Sequence, residues 1–157
     1  LLFERREAPG KTGEPLETQP GREAPEEHPA GKIVLVADDE PAVLHLIGMV
    51  LTNTGHRVLE AANGEELLEH LDRHREEVGI VLVDLMLSDM NGMQVVEAVH
   101  QRVPDLPAII MSGYGDAQTR IKGSGQRIAA YLAKPFSSAE LIDIVAKTLK
   151  HKALSQE

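Results

Sequence analysis

Short, nearly unbroken apolar runs recur along this chain, and each is followed at once by a polar or charged residue. The clearest are Ile33-Val34-Leu35-Val36-Ala37 before Asp38 and Asp39, Ile80-Val81-Leu82-Val83 before Asp84, and Ile128-Ala129-Ala130-Tyr131-Leu132-Ala133 before Lys134. Runs of four to six apolar residues without polar alternation fit strands buried on both faces, which is the condition of a parallel sheet covered by helices. In such a sheet the carboxyl ends of the strands share one edge, where ligands bind. Three carboxylates and one ammonium are therefore expected in one cleft.

The segments between the runs carry helical spacing. Val43, Leu44, Ile47, Val50 and Leu51 form one stripe, with Pro41 in the first turn and Gly55 as the stop. A second strand is predicted at 57–61, followed by a helix capped by Asn63, with Glu66 in the capping-box position and Leu67, Leu68 and Leu71 inward. Val95, Val96, Val99 and Val103 make a third stripe, ended by Pro104. The fourth strand is predicted at 108–111 and the fifth at 128–133. The last helix begins at Ser137, has Glu140 in its capping box and turns Leu141, Ile144, Val145 and Leu149 inward. A fourth helix over 116–127 is the weakest, because Gly123 and Gly125 interrupt it at about 1 kcal/mol each relative to Ala. Five strands alternating with five helices predict an α/β domain with right-handed crossovers.

Residues 1–31 differ from the rest. They contain five of the nine prolines and seven Glu, and almost no apolar residue after Phe3. Such a segment buries too little surface to offset its ordering entropy, and it reads as a disordered or linker segment. The predicted organisation is linker 1–31, domain 32–151 and tail 152–157. The formal charge of −9 argues against a nucleic-acid surface. No cysteine is present, so disulfides and thiol chemistry are excluded, which is compatible with a reducing cytoplasm. No apolar stretch approaches the roughly 20 residues of a membrane-spanning helix, and the amino-terminal run does not resemble a signal peptide.

Clustered carboxylates at one sheet edge are unfavourable unless a cation neutralises them. An all-oxygen set with room for water suits Mg²⁺, and Mn²⁺ should substitute. His70 and His74 share a helix face, but an exposed polar face explains them better than zinc. Lys134 supplies a point charge that can hold a phosphoryl oxygen, and Ser112, just past the fourth strand, adds a hydroxyl. Pro135 suggests a constrained turn, with a cis bond as one form of it, that aims Lys134 inward.

At these residues the stretch from Lys32 to about His151 resembles a response-regulator receiver domain of two-component signalling. The matching motifs are Val36-Ala37-Asp38-Asp39-Glu40, Val83-Asp84-Leu85-Met86 with Gly92, Ile110-Met111-Ser112-Gly113, and Tyr131-Leu132-Ala133-Lys134-Pro135-Phe136. The resemblance implies a flavodoxin-like (βα)5 doubly wound fold with five parallel strands in the order 2-1-3-4-5. It further implies that Asp84 is the phosphoacceptor. Asp39 and Asp84 would ligate Mg²⁺ directly, Asp38 mostly through water, and Met86 through its backbone carbonyl. Lys134 and Ser112 would hold oxygens of the transferred group, and Tyr131 would be the aromatic that turns inward when the Ser112 loop closes. The implied partner is a histidine kinase or histidine phosphotransfer protein. The implied activity is confined to Mg²⁺-dependent self-phosphorylation and dephosphorylation at Asp84.

Some residues depart from the family pattern. Ser88 stands where proline is usual, which predicts a looser loop to Gly92. Ser112 replaces the commoner threonine, Gly113 stands where alanine is usual, and the acidic stretch before Tyr131 is missing, which weakens the case for the familiar charged dimer face and leaves at most a weak homodimer. Met86 and Tyr114 flank the site and are expected to influence hydrolysis of the acyl phosphate. Few residues follow His151, an acidic proline-rich segment precedes the domain, and Met111-Ser112-Gly113-Tyr114-Gly115 and Gly123-Ser124-Gly125 look similar to receivers fused behind kinases. The favoured setting is therefore the carboxyl-terminal receiver of a hybrid sensor histidine kinase, cytoplasmic even if its kinase is membrane-anchored. A stand-alone regulator and a phosphorylation-independent interaction module are the alternatives. An aspartyl-phosphate phosphatase of the haloacid-dehalogenase type would need an Asp-x-Asp pair after the first strand, and here the pair is contiguous.

Overall fold

The computed structural model describes residues 32–113 and 127–155, the side chains of 152–155 excepted. The leader 1–31, Tyr114, all but the last residue of the helix expected over 116–127, and the end of the tail lie outside the described residues. The elements, numbered in chain order, are β1 (Ile33–Ala37), α1 (Pro41–Asn53), β2 (Arg57–Ala61), α2 (Gly64–Arg73), β3 (Val78–Asp84), α3 (Gly92–Arg102), β4 (Ala108–Ser112), β5 (Ala130–Ala133) and α4 (Ser138–Ser155). The sheet order is β2-β1-β3-β4-β5 and every neighbouring pair is parallel, so the 2-1-3-4-5 order holds.

Successive residues of β1 point to opposite faces, and both faces are covered. Ile33, Leu35 and Ala37 join Leu67, Leu71, Val95, Val96 and Val99 on the α2 and α3 side. Val34 and Val36 join Leu44, Ile47, Leu51, Leu141 and Val145 on the α1 and α4 side. This double burial is why the strands read as continuous apolar runs. Each Leu, Ile or Val so buried contributes about 1.5–3 kcal/mol of transfer free energy.

The helix ends follow their local chemistry. Pro41 opens α1, where its missing N–H costs nothing, and Gly55 follows it at φ 96°. Ser137 and Glu140 form the reciprocal pair expected at the start of α4: the Ser137 amide donates to Glu140 Oε1 at 2.8 Å and the Glu140 amide to Ser137 Oγ at 3.1 Å. At α2 the pattern is half as expected. Asn63 Oδ1 accepts from the Glu66 amide, but the Glu66 carboxylate reaches past Asn63 to the Ala62 amide. Four strand boundaries differ from the sequence reading, and two of them are single-residue extensions, of β3 to Asp84 and of β4 to Ser112. β3 begins at Val78, because Val78 and Gly79 are buried beside β1. β5 begins only at Ala130, since Ile128 is already packed on the core while outside the ladder.

Among the described residues no helix is long and apolar enough to cross a membrane.

Candidate functional site

Strand register assembles the site. Ala37 lies level with Val83, so the next residues, Asp38 and Asp84, lie side by side at the sheet edge. Asp84 pairs with Met111, and Ser112 with Ala133, which brings Ser112 and Lys134 to the same edge. Main-chain bonds continue past the strand ends: the Asp38 amide donates to Ala61 O at 3.2 Å, Leu85 to Met111 O at 2.8 Å, and Lys134 to Ser112 O at 2.7 Å. The Lys134–Pro135 peptide is cis.

Asp38 is fully buried and Asp84 is 6% exposed, whereas Asp39 faces solvent. One carboxylate oxygen from each of the three lies within 4.8 Å of the others. The ligand oxygens of an octahedral Mg²⁺, held at about 2.0–2.1 Å, lie roughly 3–4 Å apart, so this donor set fits such an ion. The opposing charge comes from Lys134, whose Nζ is 2.7 Å from Asp38 Oδ2 and 3.4 Å from Asp84 Oδ2. Burial, together with the neighbouring Asp38 charge, pushes the Asp84 carboxyl up to about 6, against the pull of Lys134 and the Met86 amide. Burial alone would lower Lys134, but its bonds to Asp38 and Asp84 hold it above its ordinary value. One ammonium thus serves two enclosed carboxylates, which leaves the cluster with unneutralised negative charge.

The remaining expected residues surround this centre. Ser112 is half-buried at the end of β4. Tyr131 is half-buried on β5 and packs on the α2–α3 side of the core. Met86 is 65% exposed; its amide points to Asp84 Oδ1 at 3.4 Å, and the residue bridges to Asn91. His70 and His74 are engaged separately, His70 Nε2 with Glu60 O and His74 Nδ1 with Glu77.

Sequence reasoning passed over two features. Glu40 Oε1 lies 3.4 Å from Lys134 Nζ, and the Glu40 amide donates to Asp38 Oδ1 at 2.9 Å. In the sequence Glu40 stands out only as part of a motif, because nothing local says where an exposed side chain lands. The second feature is the anchoring of the 85–91 loop. Its base is closed by the Gly92 amide donating to Leu85 O at 2.7 Å, and Asn91 and Gln94 form a full capping box at the start of α3. The Asn91-x-x-Gln94 spacing carried that signal.

A family profile described as the response regulator receiver domain matches residues 34–146. The transcriptional regulatory protein GlrR of Escherichia coli (strain K12) is 32% identical over 120 residues, 76% of this chain and 27% of that protein. The DNA-binding transcriptional regulator NtrC of Bradyrhizobium sp. (strain RP501 Parasponia) is 33% identical over 121 residues, 77% of this chain and 25% of that protein. The chain therefore spans about a quarter of the length of these relatives. A crystal structure of a response regulator receiver domain protein from Clostridium thermocellum superposes with a TM-score of 0.72 at 26% identity, covering 78% of this chain and 98% of that one.

Proposed function

The chain belongs to the response regulator receiver domain family, and on that premise we propose that Asp84 accepts a phosphoryl group from a phosphohistidine of a partner kinase or phosphotransfer protein. The observation that carries this reading is the convergence of Asp38, Asp39 and Asp84 at one sheet edge, with Lys134 bonded across two of them. An Asp84 oxygen forms the new bond to phosphorus as the donor's phosphorus–nitrogen bond breaks, and the imidazole nitrogen leaves with that electron pair. The product is an acyl phosphate. Such transfers depend chiefly on positioning and on neutralising charge over the phosphoryl oxygens.

The residues divide that work. Asp39 and Asp84 would hold Mg²⁺ directly, Asp38 mostly through water, and Met86 through its carbonyl. The bound ion would offset the negative charge of the carboxylates and of the incoming group. Asp38 fixes Lys134, whose ammonium is placed to hold one phosphoryl oxygen while the Ser112 hydroxyl donates to another. The gained dianion biases the Ser112 loop, and Tyr131 turns inward as that loop closes. The domain is read as residues 32–151, working in the cytoplasm.

The wider setting we favour is a hybrid histidine kinase, with the acidic, proline-rich 1–31 segment as the tether between kinase and receiver. A second setting, a receiver joined to a transcriptional output, is favoured by the relatives, whose names are those of transcriptional regulators.

The test is to incubate the protein with Mg²⁺ and acetyl phosphate and measure intact mass, with Asp84→Asn alongside. One added phosphate that requires both metal and Asp84 is the expected result. Partner binding that survives Asp84→Asn unchanged, with no adduct on the wild type from any donor, would instead favour an interaction module.

A further inference from the structure

The loop that follows Asp84 is tied to a helix that contributes nothing to the acidic cluster. Asp89, at the tip of the 85–91 loop, accepts from the Gly64 amide through Oδ1 and from the Glu65 amide through Oδ2, both at 2.9 Å. These are the first two N–H groups of α2, which lack partners within the helix. The next amide, of Glu66, is taken by Asn63 at 2.8 Å. The two capping residues thus divide the helix end, one local and one 25 positions away. Beside this junction Met90 packs so closely on Gly64 that a Cβ there would lie 2.8 Å from Met90 Cγ.

The contact is stronger than its exposed position suggests. A carboxylate at a helix N-terminus gains from the macrodipole as well as from two charge-assisted bonds. The slight burial of Asp89 would raise its carboxyl, but the amides of Gly64 and Glu65 outweigh this and hold it below its usual value. At the other end of the loop the Leu85–Gly92 bond and the Met86–Asn91 bridge fix the base. The Met86 main chain is held between these two anchors, with its amide directed at Asp84 Oδ1.

We propose that Asp89 is a positioning residue for the phosphoryl-accepting site, clamping the 85–91 loop onto the first amides of α2 so that the Met86 main chain stays against Asp84. This rests on the reading of Asp84 given above. Cutting the clamp lets the loop tip leave α2 and loosens Met86, which weakens cation binding and slows labelling. Removing a direct partner of a metal ligand commonly costs about tenfold to a hundredfold in affinity. One step further out, the expected loss is roughly threefold to tenfold.

The comparison that separates positioning from mere helix capping uses Asp89→Ala and Asn63→Ala. Both remove a cap from the same end of α2, but only the first frees the loop. Each variant, made in the 157-residue chain, is titrated with Mg²⁺ calorimetrically well below its melting temperature, and amide exchange at Met86 is followed in metal-free protein. Asp89→Ala should bind Mg²⁺ roughly threefold to tenfold more weakly and exchange Met86 faster. Asn63→Ala should lose stability but keep both properties within about twofold. Asp89→Asn, which keeps one acceptor, should recover part of the loss. Equal behaviour of the two alanine variants would overturn the clamp, as would unchanged Met86 exchange in Asp89→Ala. A wild type that neither binds Mg²⁺ nor takes up phosphate would count against the Asp84 reading, while Met86 exchange would still decide the clamp.

Discussion

Asp84 is an expensive residue in the metal-free domain. It is enclosed, it faces Asp38, and the two carboxylates share one Lys134, which sits closer to Asp38. Its pKa of about 6 in the folded chain stands above the 3.8 of an unfolded carboxyl. Between those two values the folded state binds more protons than the unfolded state. Stability from this group is therefore highest at the acid end, falls as pH rises through the window, and is level above it. Asp84→Asn removes the strained charge and keeps the shape. With chelator present, its melting temperature should exceed that of the wild type by about 5 °C near neutral pH. The gap should narrow toward about pH 5, where wild-type Asp84 has taken up its proton. Thermal unfolding of both proteins across that range checks this, and a lower melting point for the variant throughout would refute it. Mg²⁺ should reverse the order, because it stabilises only the chain with its carboxylates intact.

Among the elements, α3 begins in the tightest place. Its first residue, Gly92, lies under the backbone that carries the acidic site: a Cβ there would stand 2.6 Å from Asp84 O and 2.8 Å from Leu85 Cα. Those are main-chain atoms, so the strain cannot be relieved by swinging a side chain. Gly92→Ala should cost about 1–3 kcal/mol in denaturant unfolding despite the better helix propensity of alanine, and should displace Asp84 enough to slow labelling. Gly113→Ala is the control, because nothing lies within 4 Å of its added methyl. Equal stability of the two variants would remove the argument. The elements themselves were largely legible, since their signals are local. Pro41, Gly55, Asn63, Pro104 and Ser137 each act within one turn of the helix end they mark. The misplaced edges, Val78 and Ala130, lie where burial and ladder pairing come apart, and apolar character reports only burial. The anchor from Asp89 to α2 was illegible because it joins residues 25 apart with no periodicity between them.

For the whole molecule, periodicity foretold a parallel sheet but not which strands are neighbours, since adjacency is set by crossovers that leave no local trace. The 2-1-3-4-5 order came through the family resemblance. Most of the acidic centre was nonetheless legible, because parallel strands end at a common edge, so a polar residue after each apolar run is carried there by the architecture itself. The same contrast between apolar runs and polar stretches underlies the proposed boundary of the domain at residue 32. The described body is paired from its first strand: the Ile33 amide donates to Glu77 O at 2.8 Å, and Lys32 Nζ to Glu76 O at 3.1 Å. Upstream, residues 1–31 carry seven Glu against three Arg and one Lys, and five prolines. That composition offers the sheet almost no apolar surface, and its net negative charge lies on an already acidic chain. Removing 1–31 should therefore leave the melting temperature within about 2 °C, where 1 kcal/mol corresponds to roughly 2–8 °C for chains of this size range. Labelling by acetyl phosphate should be equally unaffected. A fall of more than about 5 °C would mean that the leader contributes over half a kilocalorie of contacts to the domain, and the boundary at residue 32 would have to move upstream.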